Sequence, residues 1–141
     1  MTPQDFEAAV LAQTAFKLSM SDSVDEQVAI ACTIRNLVIP KPGCLALYKS
    51  FPAACTDLLR AYPAREDPTM QEDAMVAPNG LLSLIGQIYD CSYPDITATQ
   101  TTPGARMFAR TANLEQSDWR WPLVRSARLL GNWGSQSFYF L

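Results

Sequence analysis

The chain has 141 residues, of which 48% are hydrophobic and 18% are charged, and these values are typical of one folded domain rather than of a disordered segment. Its formal net charge of -3 supplies no basic patch, so we expect neither a nucleic-acid partner nor binding to an anionic membrane surface. We treat residues 1–141 as a single domain. Membrane insertion is not expected, because no run approaches the roughly 18 consecutive apolar residues that a span requires.

The first segment, residues 3–17, is predicted to be an amphipathic helix. Pro3 suits a first helical turn, and an apolar stripe follows at helical spacing, formed by Ala8, Leu11, Ala15 and Leu18. The residues before this stripe are acidic and lack the basic and apolar regions of a secretory signal. We therefore expect the chain to be made in the cytoplasm without a signal peptide.

A second helix is predicted from Ser23 to about Leu37. Ser23 is a good N-cap, and Glu26 lies three residues later, where a capping-box partner belongs. The helix is apolar around most of its circumference, which predicts that it is buried at the centre of the fold. Pro40 and Pro42 follow it, and proline cannot continue a helix.

The middle of the chain predicts short helices separated by long connections. Two further helices are expected at residues 52–61 and 81–90, where apolar residues recur at helical spacing. Residues 62–78 are polar and contain two prolines, so they predict a surface loop. Residues 92–104 are rich in Thr and Pro and predict a second loop.

The C-terminal third predicts a small sheet. Residues 105–110 and 137–141 are expected to be strands, and residues 124–130 are expected to form a helical turn or a strand. Trp119 and Trp121 are expected in the loop before them, and Gly104 and Gly131 are expected to mark tight turns. The predicted fold class is therefore α+β, mostly helical, with a minor C-terminal β-sheet.

The four cysteines show no metal-binding spacing. The chain contains no CxxC pair and no histidine, so we expect no metal site and no cofactor. Cys32 lies in the most apolar helix and is expected to be a small core residue. Cys91 has no close partner in sequence. For Cys44 and Cys55, the sequence is compatible either with a disulfide or with two thiols. In a chain made without a signal peptide, the thiols are favoured.

Three separated segments carry a family resemblance. They are residues 27–38 (QVAIACTIRNLV), residues 94–97 (PDIT) leading to 104–108 (GARMF), and Gly131-Asn132 leading to Phe138-Tyr139. In this order they resemble the SleB-type cell-wall hydrolases, a lytic-transglycosylase-like family that cuts the glycan strand of peptidoglycan. The resemblance implies a small lysozyme/transglycosylase-like domain and peptidoglycan as its target.

The residue at the family's catalytic glutamate position is Leu18. A lytic transglycosylase uses one carboxyl group first as general acid and then as base, and leucine can do neither. Asp22 falls on the family's second acidic position and is the remaining candidate for a catalytic acid. The alternative for Asp22 is a solvated loop carboxylate that accepts hydrogen bonds from nearby backbone amides.

The resemblance also suggests substrate-binding residues, namely Asn36, Phe108, Asn132, Trp133 and Tyr139. The aromatic rings of Trp133 and Tyr139 are candidates for a sugar-stacking platform, and the alternative is the core of a small sheet. Asn36 is a candidate for orienting a substrate acetamide, and the alternative is a core amide bonded to backbone. Arg35 and Arg110 are candidates for pairing with peptide-stem carboxylates, and the default alternative is a solvated surface position.

Three functional hypotheses follow. The first is a catalytically degenerate cell-wall-hydrolase-like protein that serves as a structural or peptidoglycan-binding component. By analogy, it would belong to the tail, neck or injection apparatus of a bacteriophage virion. Its partners would be peptidoglycan or other virion proteins. The second is an active lytic transglycosylase or endolysin that uses a relocated carboxylate such as Asp22. The third is that the resemblance is accidental and the chain is a soluble binding module.

Overall fold

The fold is arranged around one buried helix. In the computed structural model, which describes residues 2–21, 23–64, 81–110 and 114–141, helix α2 (Val24–Val38) is buried from Glu26 to Leu37. Helices α1 (Pro3–Leu18), α3 (Phe51–Ala61) and α4 (Leu81–Tyr89) pack against α2, and α1 also contacts α3 and α4. The predicted central helix is therefore confirmed, because apolar side chains on most of its circumference meet a neighbouring element.

A three-stranded antiparallel sheet covers one side of the helices. Its strands are β1 (Met107–Ala109), β2 (Arg128–Trp133) and β3 (Gln136–Phe140), in the order β1-β3-β2. The short helix α5 (Trp121–Ser126) leads into β2. The rings of Phe108 on β1 and Phe138 on β3 are both buried, with centroids 5.5 Å apart. The predicted α+β class with a minor C-terminal sheet is confirmed, whereas helices make up about 47% of the described residues rather than most of the chain.

Two predictions about the C-terminal third need correction or completion. Residues 124–130 contain both predicted alternatives, because α5 ends at Ser126 and β2 begins at Arg128. Trp121, predicted in a loop, begins α5 instead, since Pro122 favours the first turn of a helix.

Most of the loop predicted over residues 62–78 lies outside the described residues, which stop at residue 64 and resume at residue 81.

The glycines that were expected to mark turns have other roles. Gly131 lies inside β2 beside a register shift, and the Trp133 ring covers it, 2.9 Å from where a Cβ would be. Gly104 adopts no tight turn and instead permits a close approach to Asp95. The hairpin between β2 and β3 turns at Gly134, whose positive φ of 63° favours glycine.

All four cysteines are free thiols in the structure. Cys32 and Cys55 are buried, and burial raises the pKa of the Cys32 thiol to about 12 and that of Cys55 to about 11. Cys32 is therefore the core residue that its helix predicted. Within the described ranges, no cluster of His, Cys, Asp and Glu could hold a metal ion. None of the described helices has the length and apolar character needed to cross a bilayer.

Candidate functional site

A cleft of about 400 Å³ lies between the segment that follows α1, the sheet and the segment that precedes α5. Its floor is formed by buried residues from four different parts of the chain, which are Tyr62, Phe108, Arg120 and Gln136. The residues around its rim include the exposed Arg110, Glu115 and Ser117. The cleft therefore combines aromatic rings with hydrogen-bonding groups, as sites for small polar ligands do.

The floor of the cleft is held by a buried arginine. The Arg120 guanidinium donates hydrogen bonds to both carboxylate oxygens of Asp118, with the Nη2–Oδ2 distance at 2.9 Å and the Nε–Oδ1 distance at 3.1 Å. Its Nη1 atom donates to the Phe108 carbonyl oxygen at 3.2 Å, and the guanidinium carbon lies 4.8 Å from the centroid of the Tyr62 ring. The bond to Phe108 connects the segment before α5 to β1, and the cation–π contact connects the same segment to Tyr62 at the end of α3. The bidentate pair with Asp118 holds the guanidinium within its own segment.

Asp118 is held in its ionised form. The side-chain hydrogen bonds from Arg120 lower the pKa of the Asp118 carboxyl group below its ordinary value. A general acid must keep its proton near neutral pH, which requires a pKa shifted in the opposite direction. Asp118 is therefore a structural carboxylate and not a proton donor.

One wall of the cleft depends on the fully buried carboxylate of Glu26. Its Oε2 atom accepts hydrogen bonds from the backbone N–H groups of Met20, at 2.5 Å, and Ser21, at 3.2 Å. Its Oε1 atom accepts from both the backbone N–H and the hydroxyl of Ser135, each at 2.6 Å. Met20 and the residue after Ser135, Gln136, both line the cleft. Glu26 thus joins the α1–α2 connection to the β2–β3 hairpin.

The Glu26 carboxylate is ionised in spite of its burial. Desolvation acts to raise its pKa, but the hydrogen bonds from Ser135, Met20 and Ser21 outweigh that effect and lower the pKa below its ordinary value. Gly134 makes the close approach possible, because a Cβ at that position would lie 2.6 Å from the Glu26 Cβ. The hairpin therefore needs glycine at residue 134 both for its positive φ and for this contact.

The predicted capping box at the start of α2 is only half formed. The Ser23 hydroxyl oxygen accepts a hydrogen bond from the Glu26 N–H at 3.3 Å, as predicted. The Glu26 side chain, however, does not accept the Ser23 N–H, which donates to the Ser21 hydroxyl at 3.3 Å. The carboxylate is used for the tertiary contact to Ser135 instead, because that contact supplies two donors to one oxygen.

A second buried polar cluster lies under the 92–104 loop. The Asn36 amide nitrogen donates to the Asp95 Oδ2 atom at 2.7 Å and to the Ala105 carbonyl oxygen at 3.0 Å. The other Asp95 oxygen, Oδ1, accepts from the Thr97 N–H at 2.9 Å and the Thr97 hydroxyl at 2.6 Å. The Ala105 N–H donates to the Thr97 hydroxyl oxygen at 2.8 Å. Gly104 passes so close to this cluster that a Cβ there would lie 1.7 Å from Asp95 Oδ2.

The structure brings few of the predicted site residues into the cleft. Phe108 forms part of its floor, and Arg110 lies on its rim. Asn36 lies in the separate cluster with Asp95, where both of its described donations go to protein acceptors. Asp22, the candidate acid, lies outside the described residues. Leu18 is buried in the hydrophobic core.

The C-terminal aromatic residues are divided between core and surface. Tyr139 is 6% exposed and leaves little ring surface for a sugar, whereas Trp133 is half-buried and packs edge-on against Phe138 with centroids 5.5 Å apart. Asn132 is exposed and accepts a hydrogen bond from the Ser137 hydroxyl at 2.6 Å. Asn132, Trp133 and Tyr139 do not line the cleft, and their binding roles stay predictions.

Arg35 differs from its default expectation of surface solvation. Arg35 is buried, and its Nη1 atom donates to the carbonyl oxygens of Ile88, at 3.2 Å, and Tyr93, at 2.9 Å. Arg35 therefore links α2 to the last turn of α4 and to the segment that follows α4. Glu7 is half-buried and accepts a hydrogen bond from the Tyr89 hydroxyl at 2.5 Å.

The residues that organise the cleft were missed by the sequence analysis. Glu26 was explained as a local cap, and Arg120 and Gln136 carried no motif. The Gln136 side-chain nitrogen donates to the Leu18 carbonyl oxygen at 3.1 Å, which places the cleft beside the end of α1. Only Glu26 had a sequence signal for its position, because it lies three residues after the N-cap Ser23 and just before the apolar residues of α2.

Comparison with known proteins yields no match, whether with family models, with curated proteins or with solved structures. The likeness to the SleB-type hydrolases therefore rests only on the residues quoted in the sequence analysis.

Replacing Glu26 with Gln is expected to lower the free energy of unfolding at pH 7 by about 3 kcal/mol, because an amide cannot accept all the hydrogen bonds that the carboxylate accepts. In the wild type, the pKa is lower in the folded state than the ordinary 4.5. Its contribution to stability is therefore complete above pH 4.5 and is lost as the pH falls through the lower folded value. Urea denaturation between pH 3 and pH 7 measures both effects.

The matched control is Asp25→Asn, at the exposed neighbouring position in the first turn of α2. We expect it to change stability by less than about 1 kcal/mol and to leave the acid-dependent loss of stability in place. An equal loss of stability in Glu26→Gln and Asp25→Asn at pH 7 would contradict the role assigned to Glu26.

Gly104→Ala is expected to destabilise the fold by about 2–3 kcal/mol, since the added methyl group must displace the Asp95 carboxylate or the Asn36 amide. Gly86→Ala is the control, because Gly86 lies within α4 and has no atom within 4 Å of an added Cβ. Alanine there is expected to be neutral or stabilising by up to about 1 kcal/mol. Chemical denaturation of both variants separates the two cases, and a neutral Gly104→Ala would show that the cluster tolerates rearrangement.

Proposed function

We propose that this protein has a lysozyme/transglycosylase-like fold and binds peptidoglycan in the cleft without cleaving it. The observation that carries the proposal is the position of Gln136. Its side chain lines the cleft and donates to the Leu18 carbonyl oxygen, so the cleft lies beside the position where the resemblance places the catalytic acid. The residue at that position contributes its side chain to the core and not to the cleft.

The described carboxylates around the cleft support binding rather than catalysis. Asp118 is ionised by its pairing with Arg120, and Glu26 is ionised and fully engaged in hydrogen bonds to the two loops. Glu115 is exposed to water at the rim. A general acid for glycosidic cleavage needs burial or an apolar wall that keeps it protonated. None of these three described residues has that combination.

The cleft nevertheless has groups that suit a glycan carrying acidic peptide stems. Arg110 is an exposed cation at the rim, where it can form charge-assisted hydrogen bonds with a stem carboxylate. The Ser117 hydroxyl on the same rim donates to the Glu115 carboxylate at 3.4 Å, and its oxygen can accept a hydrogen bond from a sugar hydroxyl group. The structural setting proposed for such a binding protein, a bacteriophage virion with other virion proteins as partners, is supported by analogy alone.

An active lytic transglycosylase that uses Asp22 is the second candidate. The observation in its favour is that Met20 lines the cleft and Asp22 follows it two residues later in the chain. The two candidates differ in turnover, since binding alone releases no glycan. Restoring the family's glutamate at Leu18 is a poor test of either candidate, because a carboxylate would enter the hydrophobic core unpaired.

Wild-type protein is expected to co-sediment with purified insoluble peptidoglycan, and Arg110→Ala is expected to weaken the binding about fivefold through loss of one charge-assisted contact. Arg128→Ala removes the same charge from an exposed position on β2 that does not line the cleft, and it should bind as the wild type does. Absence of wild-type binding would contradict the proposal. An equal loss in both variants would show that only net charge matters.

A further inference from the structure

A second concave surface, which we call the apolar groove, lies between α3, the segment that follows α2 and the C-terminus. Its volume is about 600 Å³. Its lining is dominated by apolar side chains from separate parts of the chain, among them Leu47, Leu58, Met107, Trp119, Leu123 and Leu141. Tyr62 lines both the apolar groove and the cleft, so the two surfaces meet at that residue.

Several side chains of the apolar groove are exposed to water in spite of their size. Leu47 is 61% exposed, Trp119 is 48% exposed and Leu141 is 49% exposed. Apolar surface gathered in a concavity is typical of a binding site, whereas single exposed leucines are normal on any protein. The volume of the apolar groove lies within the range of roughly 300–1,000 Å³ that holds small-molecule ligands. An occupant of small-molecule size with an apolar body is therefore favoured.

The charged residues of the apolar groove indicate which charge the occupant carries. Asp57 accepts a hydrogen bond from the Tyr48 hydroxyl, and burial together with Asp57 raises the pKa of Tyr48 to about 12, so Tyr48 remains the donor. Arg60 is exposed in the last turn of α3, and Arg106 uses its Nη2 atom to donate to the Leu45 carbonyl oxygen at 2.5 Å. The lining therefore carries two arginines against one carboxylate, and this balance favours a negative group on the occupant.

We propose that the apolar groove binds a single-chain anionic amphiphile, such as a long-chain carboxylate, with its alkyl chain on the apolar lining and its head group at Arg60. The site goes beyond the proposed glycan binding and does not depend on it. Each methylene group that leaves water on binding contributes to affinity, and the head group adds a smaller contribution from its ion pair.

The test is calorimetric titration of the full chain with dodecanoate and decanoate below their micelle concentrations. Wild type is expected to bind dodecanoate saturably at one site, and to bind decanoate about fifteenfold more weakly because two methylenes are lost at about fourfold each. Leu47→Asp is expected to weaken dodecanoate binding about tenfold, because it removes apolar lining and adds a negative charge that repels the carboxylate of the ligand. Arg60→Ala is expected to weaken it about two- to fivefold.

Two matched controls separate this site from general surfactant binding. Leu129→Asp makes the same change at a side chain that is 55% exposed on β2 and does not line the apolar groove. Arg128→Ala makes the same charge change outside the apolar groove. Both should bind dodecanoate as the wild type does, and circular dichroism confirms the fold of every variant. Non-saturable binding, unchanged affinity in Leu47→Asp, or an equal loss in Leu129→Asp would each overturn the proposal.

Discussion

The carboxylate of Glu26 binds Ser135, which lies 109 residues later in the chain. A buried charge is costly unless its lone pairs are satisfied, and here backbone and hydroxyl donors from the α1–α2 connection and the β2–β3 hairpin satisfy them. The orientation of the hairpin relative to the helices follows from this contact, together with the packing of Phe138 into the core. Because Met20 is one of those donors and Gln136 follows another, Ser135, the shape of the cleft depends on the same carboxylate.

The cleft has a rigid floor rather than a reactive one. Arg120 is held by Asp118, by the Phe108 carbonyl oxygen and by the Tyr62 ring, so its charge is largely neutralised within the protein. Such a floor is already organised before a ligand arrives, which reduces the entropy lost on binding. Two exposed cations lie at the edges, Arg110 at the cleft and Arg60 at the apolar groove. Tyr62, between the two surfaces, is buried and supports both.

The elements of the fold could be predicted where the signal is local. The cap at Ser23 and the apolar residues after it predicted α2 almost to its ends, because both depend on residues within one or two helical turns. β2 was only partly predicted, since its Gly131 resembles a turn residue and its pairing with β3 is interrupted by a register shift. Strand pairing of this kind is decided by cross-strand contacts that periodicity does not reveal.

The site could be predicted less well than the fold, because its contacts join residues that are distant in the chain. The Ser-x-x-Glu pattern correctly placed Glu26 at the first turn of α2 but could not show that Ser135 would meet it. Arg35 was expected to be solvated, and only the tertiary structure brings the carbonyl oxygens of Ile88 and Tyr93 to it. For Asn36, the alternative of a satisfied core amide was available from the sequence, but its partner Asp95 was not.

We propose that the cleft binds peptidoglycan and leaves its glycan strand intact. The most direct measurement is the release of soluble glycan fragments from purified peptidoglycan, followed by mass spectrometry, for wild type and Asp22→Asn. We predict that both proteins associate with the insoluble peptidoglycan and that neither releases fragments above the level of a protein-free sample. Release by the wild type that Asp22→Asn abolishes would contradict the claim and would identify an enzyme whose acid is Asp22.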